Sequence, residues 1–298
     1  MLLPIKKYVL GLALALLVAS CADTDIPPYN QSSLYVFGDS LSDSGNAQIA
    51  TQGLLPDKNY YNGRLSNGPN YADQLADKLH TPLKPSREFG SNYAFAGVRS
   101  NDVNAQVSNY KSNVDGEAKA DAHYIVWSGA NDLLEILLNP ASTTTIEIAI
   151  EHIKSAIQKL SQIGAVNIIV LNQVNLGLVP RITELESDIP GISTLASTRT
   201  TEFNTALQTM LAGLAADDDI NTLSIDVHGL FETVVSDPAS YNLNNISDAC
   251  YVRDELTIEL TGNETICNNS EHFLFWDQLH PTYTGHTIIA DEVFSKLP

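Results

Sequence analysis

Leu34-Tyr35-Val36-Phe37-Gly38-Asp39-Ser40-Leu41-Ser42-Asp43-Ser44-Gly45-Asn46 is the stretch from which the fold can be read. Leu34–Phe37 is apolar without polar alternation, as a strand buried on both faces requires. A turn rich in Gly, Asp, Ser and Asn follows at once. Short apolar runs recur at Tyr93–Ala96, Tyr124–Trp127, Asn167–Leu171 and Thr222–Ile225. Helix-like stretches lie between them at Tyr71–Leu79, Val103–Tyr110, Ile146–Ile163 and Thr198–Ala215, and Thr284–Leu297 closes the chain. Within Ile146–Ile163, Ile146, Ile150, Ile153, Ile157 and Leu160 fall three and four apart on one helical face. Thr143–Thr145 offer N-caps before it and Gly164 a stop after it. Alternating buried strands and helices predict an α/β fold. The expected form is a flavodoxin-like three-layer α/β/α sandwich with a five-stranded parallel sheet and a site at the strands' carboxyl ends. No repeat or second-domain boundary interrupts residues 33–298. Residues 237–272, rich in Asn and acids, read as an inserted loop.

The 298 residues include 35 acidic and 16 basic side chains, a formal charge of −19. With 44% hydrophobic and 17% charged residues, the chain has enough apolar material to exclude disorder. The acidity argues against nucleic-acid binding, which needs clustered Lys and Arg.

At the N-terminus, Lys6 and Lys7 precede an apolar stretch over Val9–Ser20 that ends in small side chains. Those 12 residues are too few to cross roughly 30 Å of hydrocarbon as a helix, so 1–20 reads as an export signal. Residues 21–32, polar with a Pro pair, read as a tether. Val18-Ala19-Ser20-Cys21 resembles the bacterial lipobox, in which the Cys becomes the lipid-bearing first residue. That resemblance implies lipidation of Cys21 and, with Ala22 following, an outer-membrane lipoprotein. An ordinary signal peptide cut nearby, giving a secreted protein, is the alternative. If Cys21 is lipidated, Cys250 and Cys267 remain as a pair in an oxidising compartment. A bridge between them would contribute about 3 kcal/mol by loop entropy.

Four blocks carry chemistry. Ser40, on a turn after the first strand, can expose its hydroxyl where backbone N–H groups converge. A lone Gly-Asp-Ser is also an ordinary turn or N-cap signature. Asp39 reads as structural, accepting from backbone N–H groups of the turn. In Trp276-Asp277-Gln278-Leu279-His280-Pro281, a carboxylate three residues from an imidazole can hold one ring nitrogen while the other takes a proton from Ser. Gly97, after the second expected strand, can present an unobstructed N–H. Asn131, in Gly129-Ala130-Asn131-Asp132, brings an amide to the same sheet edge. Read singly, Gly97 is a turn residue and Asn131 a helix cap.

In this order the blocks resemble the SGNH, or GDSL, hydrolase family. Gly63-Arg64-Leu65-Ser66-Asn67-Gly68-Pro69 and Asn175-Leu176-Gly177-Leu178-Val179-Pro180 are similar to segments of its lipase branch, which includes bacterial lysophospholipases and acyltransferases. Here Leu65 replaces the usual Phe, Tyr71 the usual Trp, and Ala96-Gly97 the frequent Gly-Gly. The resemblance implies the SGNH hydrolase fold and a serine ester hydrolase with nucleophile Ser40 and His280 as base and acid. Asp277 would orient His280, and Ser40 N–H, Gly97 N–H and the Asn131 amide would form the oxyanion hole. No metal or other cofactor is implied. The branch implies lysophospholipid or phospholipid acyl esters, with acyl transfer if an alcohol outcompetes water. A carbohydrate or peptidoglycan acetylesterase and a non-catalytic envelope lipoprotein are the rival classes. Oligomeric state is not legible. The Cys250–Cys267 loop, so close to Asp277, is expected at the site's rim, as a lid or as a structural staple.

Overall fold

The computed structural model describes residues 33–218, 220–253 and 263–297. The expected export signal 1–20, the tether 21–32 and Cys21 lie outside the described residues, as does the middle of the 237–272 insertion. The first half comprises β1 (Leu34–Gly38), α1 (Asn46–Ala50), α2 (Tyr71–Lys78), α3 (Ser100–Asn113), β2 (His123–Trp127) and α4 (Ala130–Leu138). Next come α5 (Ile146–Gln162), β3 (Asn167–Leu171), α6 (Pro180–Leu185), α7 (Ile192–Asp217), β4 (Thr222–Ile225) and α8 (Val227–Ser236). The last part holds β5 (Asn245–Ala249), β6 (Tyr251–Val252), β7 (Thr265–Ile266), β8 (Phe273–Phe275) and α9 (Tyr283–Lys296).

The four strands β1-β2-β3-β4 form one parallel sheet in that order, with Gly38 level with Trp127 at its carboxyl end. The fifth expected strand, Tyr93–Ala96, corrects to an edge segment. It runs along β1 through a ladder of Val36 N–H to Ser91 O at 3.1 Å, Tyr93 N–H to Val36 O at 2.7 Å and Phe95 N–H to Gly38 O at 3.0 Å. Only an isolated bridge between Val36 and Asn92 registers there, because the next backbone donors on that side are spent on side chains, Ala94 N–H on Asn92 Oδ1 and Ala96 N–H on Asp43 Oδ2. Counting this segment, the spatial order is still flavodoxin-like. Right-handed crossovers in such a sheet put helices on both faces. Accordingly α3, α5 and α7 pack side by side as one layer, and α2 packs with α9 in the other.

The core follows from the patterns. Ile150, Ile153, Ile157 and Leu160 of α5 are buried, and the Thr145 hydroxyl caps the helix by accepting from Ile148 N–H at 3.3 Å. Tyr35 and Phe37 of β1 meet Tyr110 of α3, ring centroids 4.7 and 5.7 Å apart. Buried tyrosine hydroxyls need partners. Tyr110 and Tyr124 share a hydrogen bond at 3.0 Å, and Tyr124 donates to Lys119 O at 2.7 Å.

The insertion is more ordered than a loop. Its β5 pairs in parallel with β8, and β6 pairs antiparallel with β7 across the Cys250–Cys267 disulfide. Since β8 runs directly into Trp276 and Asp277, the insertion helps to hold the segment that carries the imidazole.

Candidate active site

β1 ends where only glycine fits. A Cβ on Gly38 would meet the Trp127 carbonyl oxygen at 2.2 Å, so the close approach to β2 requires its absence. Buried Gln106 of α3 clamps the same peptide, accepting from Gly38 N–H at 2.9 Å and donating to Gly38 O at 2.8 Å. The chain then turns tightly, with Ser42 and Asp43 N–H donating to Asp39 O at 3.1 and 3.0 Å. The Asp39 carboxylate accepts from Leu41 N–H at 3.1 Å, the structural task expected of it. Burial pushes that carboxyl up to about 7.

A buried polar network joins this turn to the Gly97 segment. Asp43 accepts from Gly45, Asn46 and Ala47 N–H and, across the chain, from Ala96 N–H at 2.9 Å. Asn92 donates to Ser42 O at 2.7 Å, and Asn46 donates to Asn92 O and Ala94 O at 2.8 and 2.9 Å. Gly97 has φ +80°, and a Cβ there would meet nothing within 4 Å, so its glycine serves backbone conformation.

Asn131 lies in the first turn of α4. Its side-chain nitrogen donates to Val98 O at 2.7 Å. An amide nitrogen carries two protons, so one is spent on this bond and one is left for a ligand. The neighbouring Asp132 accepts both from Ser100 N–H at 2.8 Å and from Ser100 Oγ–H at 2.7 Å. The Gly97 and Asn131 segments are therefore fastened to each other.

The His280 loop is held from three directions. Trp276 N–H donates to His280 O at 2.7 Å, and Arg181 N–H donates to Gln278 O at 2.8 Å. From the Gly63–Pro69 segment, Ser66 Oγ–H donates to Pro281 O at 2.9 Å, and Asn67 Oδ1 accepts from Tyr283 N–H at 2.6 Å. A Cβ on Gly68 would lie 2.7 Å from the Tyr283 ring. This segment thus buttresses the loop, a task its sequence alone did not disclose.

The three dispersed residues meet. His280 Nε2 lies 2.8 Å from Ser40 Oγ, and Nδ1 lies 2.8 Å from Asp277 Oδ2. A carboxylate cannot donate, so Nδ1 carries the proton and Nε2 presents its lone pair to the serine hydroxyl. Burial alone would raise the Asp277 carboxyl. The His280 ring, with hydrogen bonds from His280, Tyr60 and Leu279, overrides that and holds it below the ordinary carboxylate range. Tyr60 was not singled out in the sequence, yet its hydroxyl donates to Asp277 Oδ2 at 2.6 Å. His286, also buried, is held down to about 3 by burial and by the nearby His280, so it adds no charge beside the site near neutral pH.

Two cavities share His280 in their walls. One, of about 320 Å³, has Leu55, Pro56, Leu65 and Phe95 among its walls, together with Gly97, Tyr60 and His280. The other, of about 30 Å³, is lined by Ser40, Asn131, Trp127, Leu176 and Phe231. A larger polar opening of about 500 Å³ lies at the ends of β3 and β4 and contains none of these residues.

The fold is a parallel α/β sandwich, and a serine hydroxyl, an imidazole and a carboxylate meet just beyond the carboxyl end of its first strand. A family model described as GDSL-like lipase/acylhydrolase matches residues 34–293, and the chain belongs to that family. It is a carboxylic ester hydrolase by that membership. A GDSL esterase/lipase of Arabidopsis thaliana is 25% identical, over 88% of this chain and 86% of its own. A phosphatidylcholine-sterol acyltransferase of Aeromonas hydrophila is 26% identical, over 96% of this chain and 95% of its own. Among solved structures, an acetylxylan esterase from Geobacillus stearothermophilus superposes with a TM-score of 0.51 at 16% identity. It covers 88% of this chain and 92% of its own, a likeness of fold alone.

Proposed function

We propose that the protein cleaves medium- or long-chain acyl esters, lysophospholipids or phospholipids among them, by a serine mechanism. The observation that carries this reading is the hydrogen-bonded series Ser40–His280–Asp277 beside an apolar cavity of about 320 Å³. Ser40 Oγ attacks the ester carbonyl as His280 Nε2 takes its proton, and Asp277 stabilises the imidazolium. Charge developing on the carbonyl oxygen is met by Ser40 N–H, Gly97 N–H and the Asn131 amide. The carbonyl re-forms, the alkoxide leaves with the proton from His280, and water then repeats the sequence to free the acid. Where an acceptor alcohol outcompetes water, the acyl group is transferred instead, a reading supported by the acyltransferase relative.

The acyl chain occupies the apolar cavity, which an acetyl group would leave almost empty. That is what favours lipid esters over acetylated glycans. The leader and Cys21 support export to the bacterial envelope, with a lipid anchor holding the enzyme at a membrane.

The test is a nitrophenyl ester series from acetyl to palmitoyl, together with lysophosphatidylcholine, run on the parent and on Ser40→Ala. The parent is expected to prefer acyl chains longer than acetyl and to release fatty acid from the lysolipid. Ser40→Ala is expected to lose activity by at least about 10³-fold. Full activity in Ser40→Ala would overturn the mechanism, and acetate release from acetylated glycans without fatty-acid release would overturn the substrate.

A further inference from the structure

Each oxygen of the Asp277 carboxylate is spoken for. Oδ1 accepts from Leu279 N–H and His280 N–H, both at 2.8 Å. Oδ2 receives the His280 Nδ1–H at 2.8 Å and the Tyr60 hydroxyl at 2.6 Å. The last distance is that of a charge-assisted O–H···O⁻ bond, roughly twice as strong as a neutral one. His280 Nδ1 also lies 2.9 Å from Oδ1, so its proton is shared between the two oxygens, and with these donors on both of them the plane of the carboxylate is fixed against the imidazole.

Tyr60 is itself held from outside the triad. Its ring stands edge-on to Tyr251 at 5.5 Å and to Trp276 at 6.5 Å, and those two stack on each other at 5.5 Å. Tyr251 is fastened to the Asp57 turn, donating to Asp57 Oδ2 at 3.0 Å, and Arg253 pairs with the same carboxylate at 2.9 Å. Asp57 N-terminates the turn that carries Tyr60, with Tyr60 N–H donating to Asp57 O at 3.1 Å. The ring of Tyr60 also lines the apolar cavity.

We propose that Tyr60 is a positioning residue of the reaction, its hydroxyl fixing the Asp277 carboxylate against His280 while its ring forms part of the acyl-chain wall. The role rests on the serine-triad reading above. It makes one side chain answer to both ends of the site. An acyl chain packed in the cavity presses on the group that aligns the imidazole, so chain binding contributes to kcat as well as to KM.

The sign of the effect on pH follows from charge. Without the tyrosine proton, Oδ2 retains more negative charge and stabilises the imidazolium form of His280 more strongly. Imidazolium cannot accept the serine proton, so the acid limb of the rate profile moves to higher pH. The other titratable groups facing this pair are Asp39 from the turn after β1, His286 from α9 and the Asp57–Arg253 pair beside Tyr60. Replacing the Tyr60 hydroxyl leaves all of them in place.

Tyr60→Phe removes the hydroxyl and keeps the ring. On nitrophenyl butyrate, kcat is expected to fall about 10-fold, the size of a charge-assisted hydrogen bond partly replaced by water, with KM little changed. The acid limb of kcat/KM is expected to move to higher pH. The low-field proton resonance of His280 Nδ1–H is expected to shift. Tyr60→Ala, which also deletes wall, is expected to raise KM for long acyl chains in addition. A parent-like kcat, pH limb and resonance in Tyr60→Phe would overturn the proposal. So would a loss of activity with limb and resonance unmoved, because a merely structural tyrosine would do that. Ser40→Ala run in parallel separates the layers. If it retains activity, the triad reading fails and this proposal with it. If it is inactive while Tyr60→Phe behaves as the parent, only the role of Tyr60 is lost.

Discussion

Asn131 holds the Val98 carbonyl at 2.7 Å with one amide proton and lines the small cleft beside Ser40. Its truncation therefore removes a proposed oxyanion donor and also loosens the segment that presents Gly97 N–H. Asn131→Ala is expected to lower kcat by about 10²–10³-fold, or about 3–4 kcal/mol of transition-state stabilisation, with a much smaller change in KM. Steady-state rates on a soluble nitrophenyl ester check this, and a kcat within about threefold of the parent would remove Asn131 from the oxyanion hole. Residues such as Asn131, Ser40 and His280 were legible in the sequence because each sits in a short contiguous block. Within such a block the local backbone already dictates which side chain faces the sheet edge. Tyr60 was not legible, because its partner Asp277 is 217 positions away and nothing in Asn59-Tyr60-Tyr61 announces a carboxylate. The same holds for Ser66, whose partner carbonyl belongs to Pro281.

At the scale of elements, the α5 helix shows how far periodicity reaches. Its isoleucine stripe, Thr145 cap and stop before Gly164 were all readable, since helix boundaries and buried face are local properties. The insertion was not, because β5 becomes a strand only by pairing with β8, some two dozen residues further on. The same limit explains the segment beside β1, which has strand-like residues but spends the backbone N–H groups of Ala94 and Ala96 on the side chains of Asn92 and Asp43. The disulfide ties β6 to β7 beside the cavity wall, since Tyr251 of β6 and Arg253 after it both line the apolar cavity. Replacing both cysteines, Cys250→Ser with Cys267→Ser, loosens that wall and, because Cys250 N–H donates to Phe275 O at 3.1 Å and Tyr251 N–H to Trp276 O at 2.6 Å, also weakens the support of the Asp277 segment. Unfolding stability is expected to fall by about 2–4 kcal/mol. KM for palmitoyl or lauroyl esters is expected to rise several-fold, and kcat/KM is expected to fall less for acetyl esters, which lose only the support of the Asp277 segment. Thermal melts and a chain-length series measure the two effects. An equal loss on short and long chains would mean that the insertion acts through the Asp277 segment alone and not through the acyl wall.

At the scale of the whole molecule, the formal charge of −19 bears on which surface the enzyme can work at. Exposed apolar side chains adjoin the residues of the cavity wall along the chain, Leu54 next to Leu55 and Val252 between Tyr251 and Arg253. Contact with a lipid surface through that side brings the remaining negative field close to the head groups. An anionic surface repels it, whereas a zwitterionic one leaves the apolar contacts unopposed. The repulsion is long-ranged only at low ionic strength, with a Debye length of about 30 Å at 0.01 M against about 8 Å at 0.15 M. Hydrolysis of lysophosphatidylcholine should therefore exceed that of lysophosphatidylglycerol at ~0.01 M salt, and the gap should narrow as salt is raised to ~0.15 M. The acyl chain is the same in both substrates, so the cavity contributes equally and the difference isolates the field. Equal rates at low salt would show that the charge is too far from the mouth to matter. A gap that persists unchanged at high salt would instead place the discrimination in direct contacts with the head group.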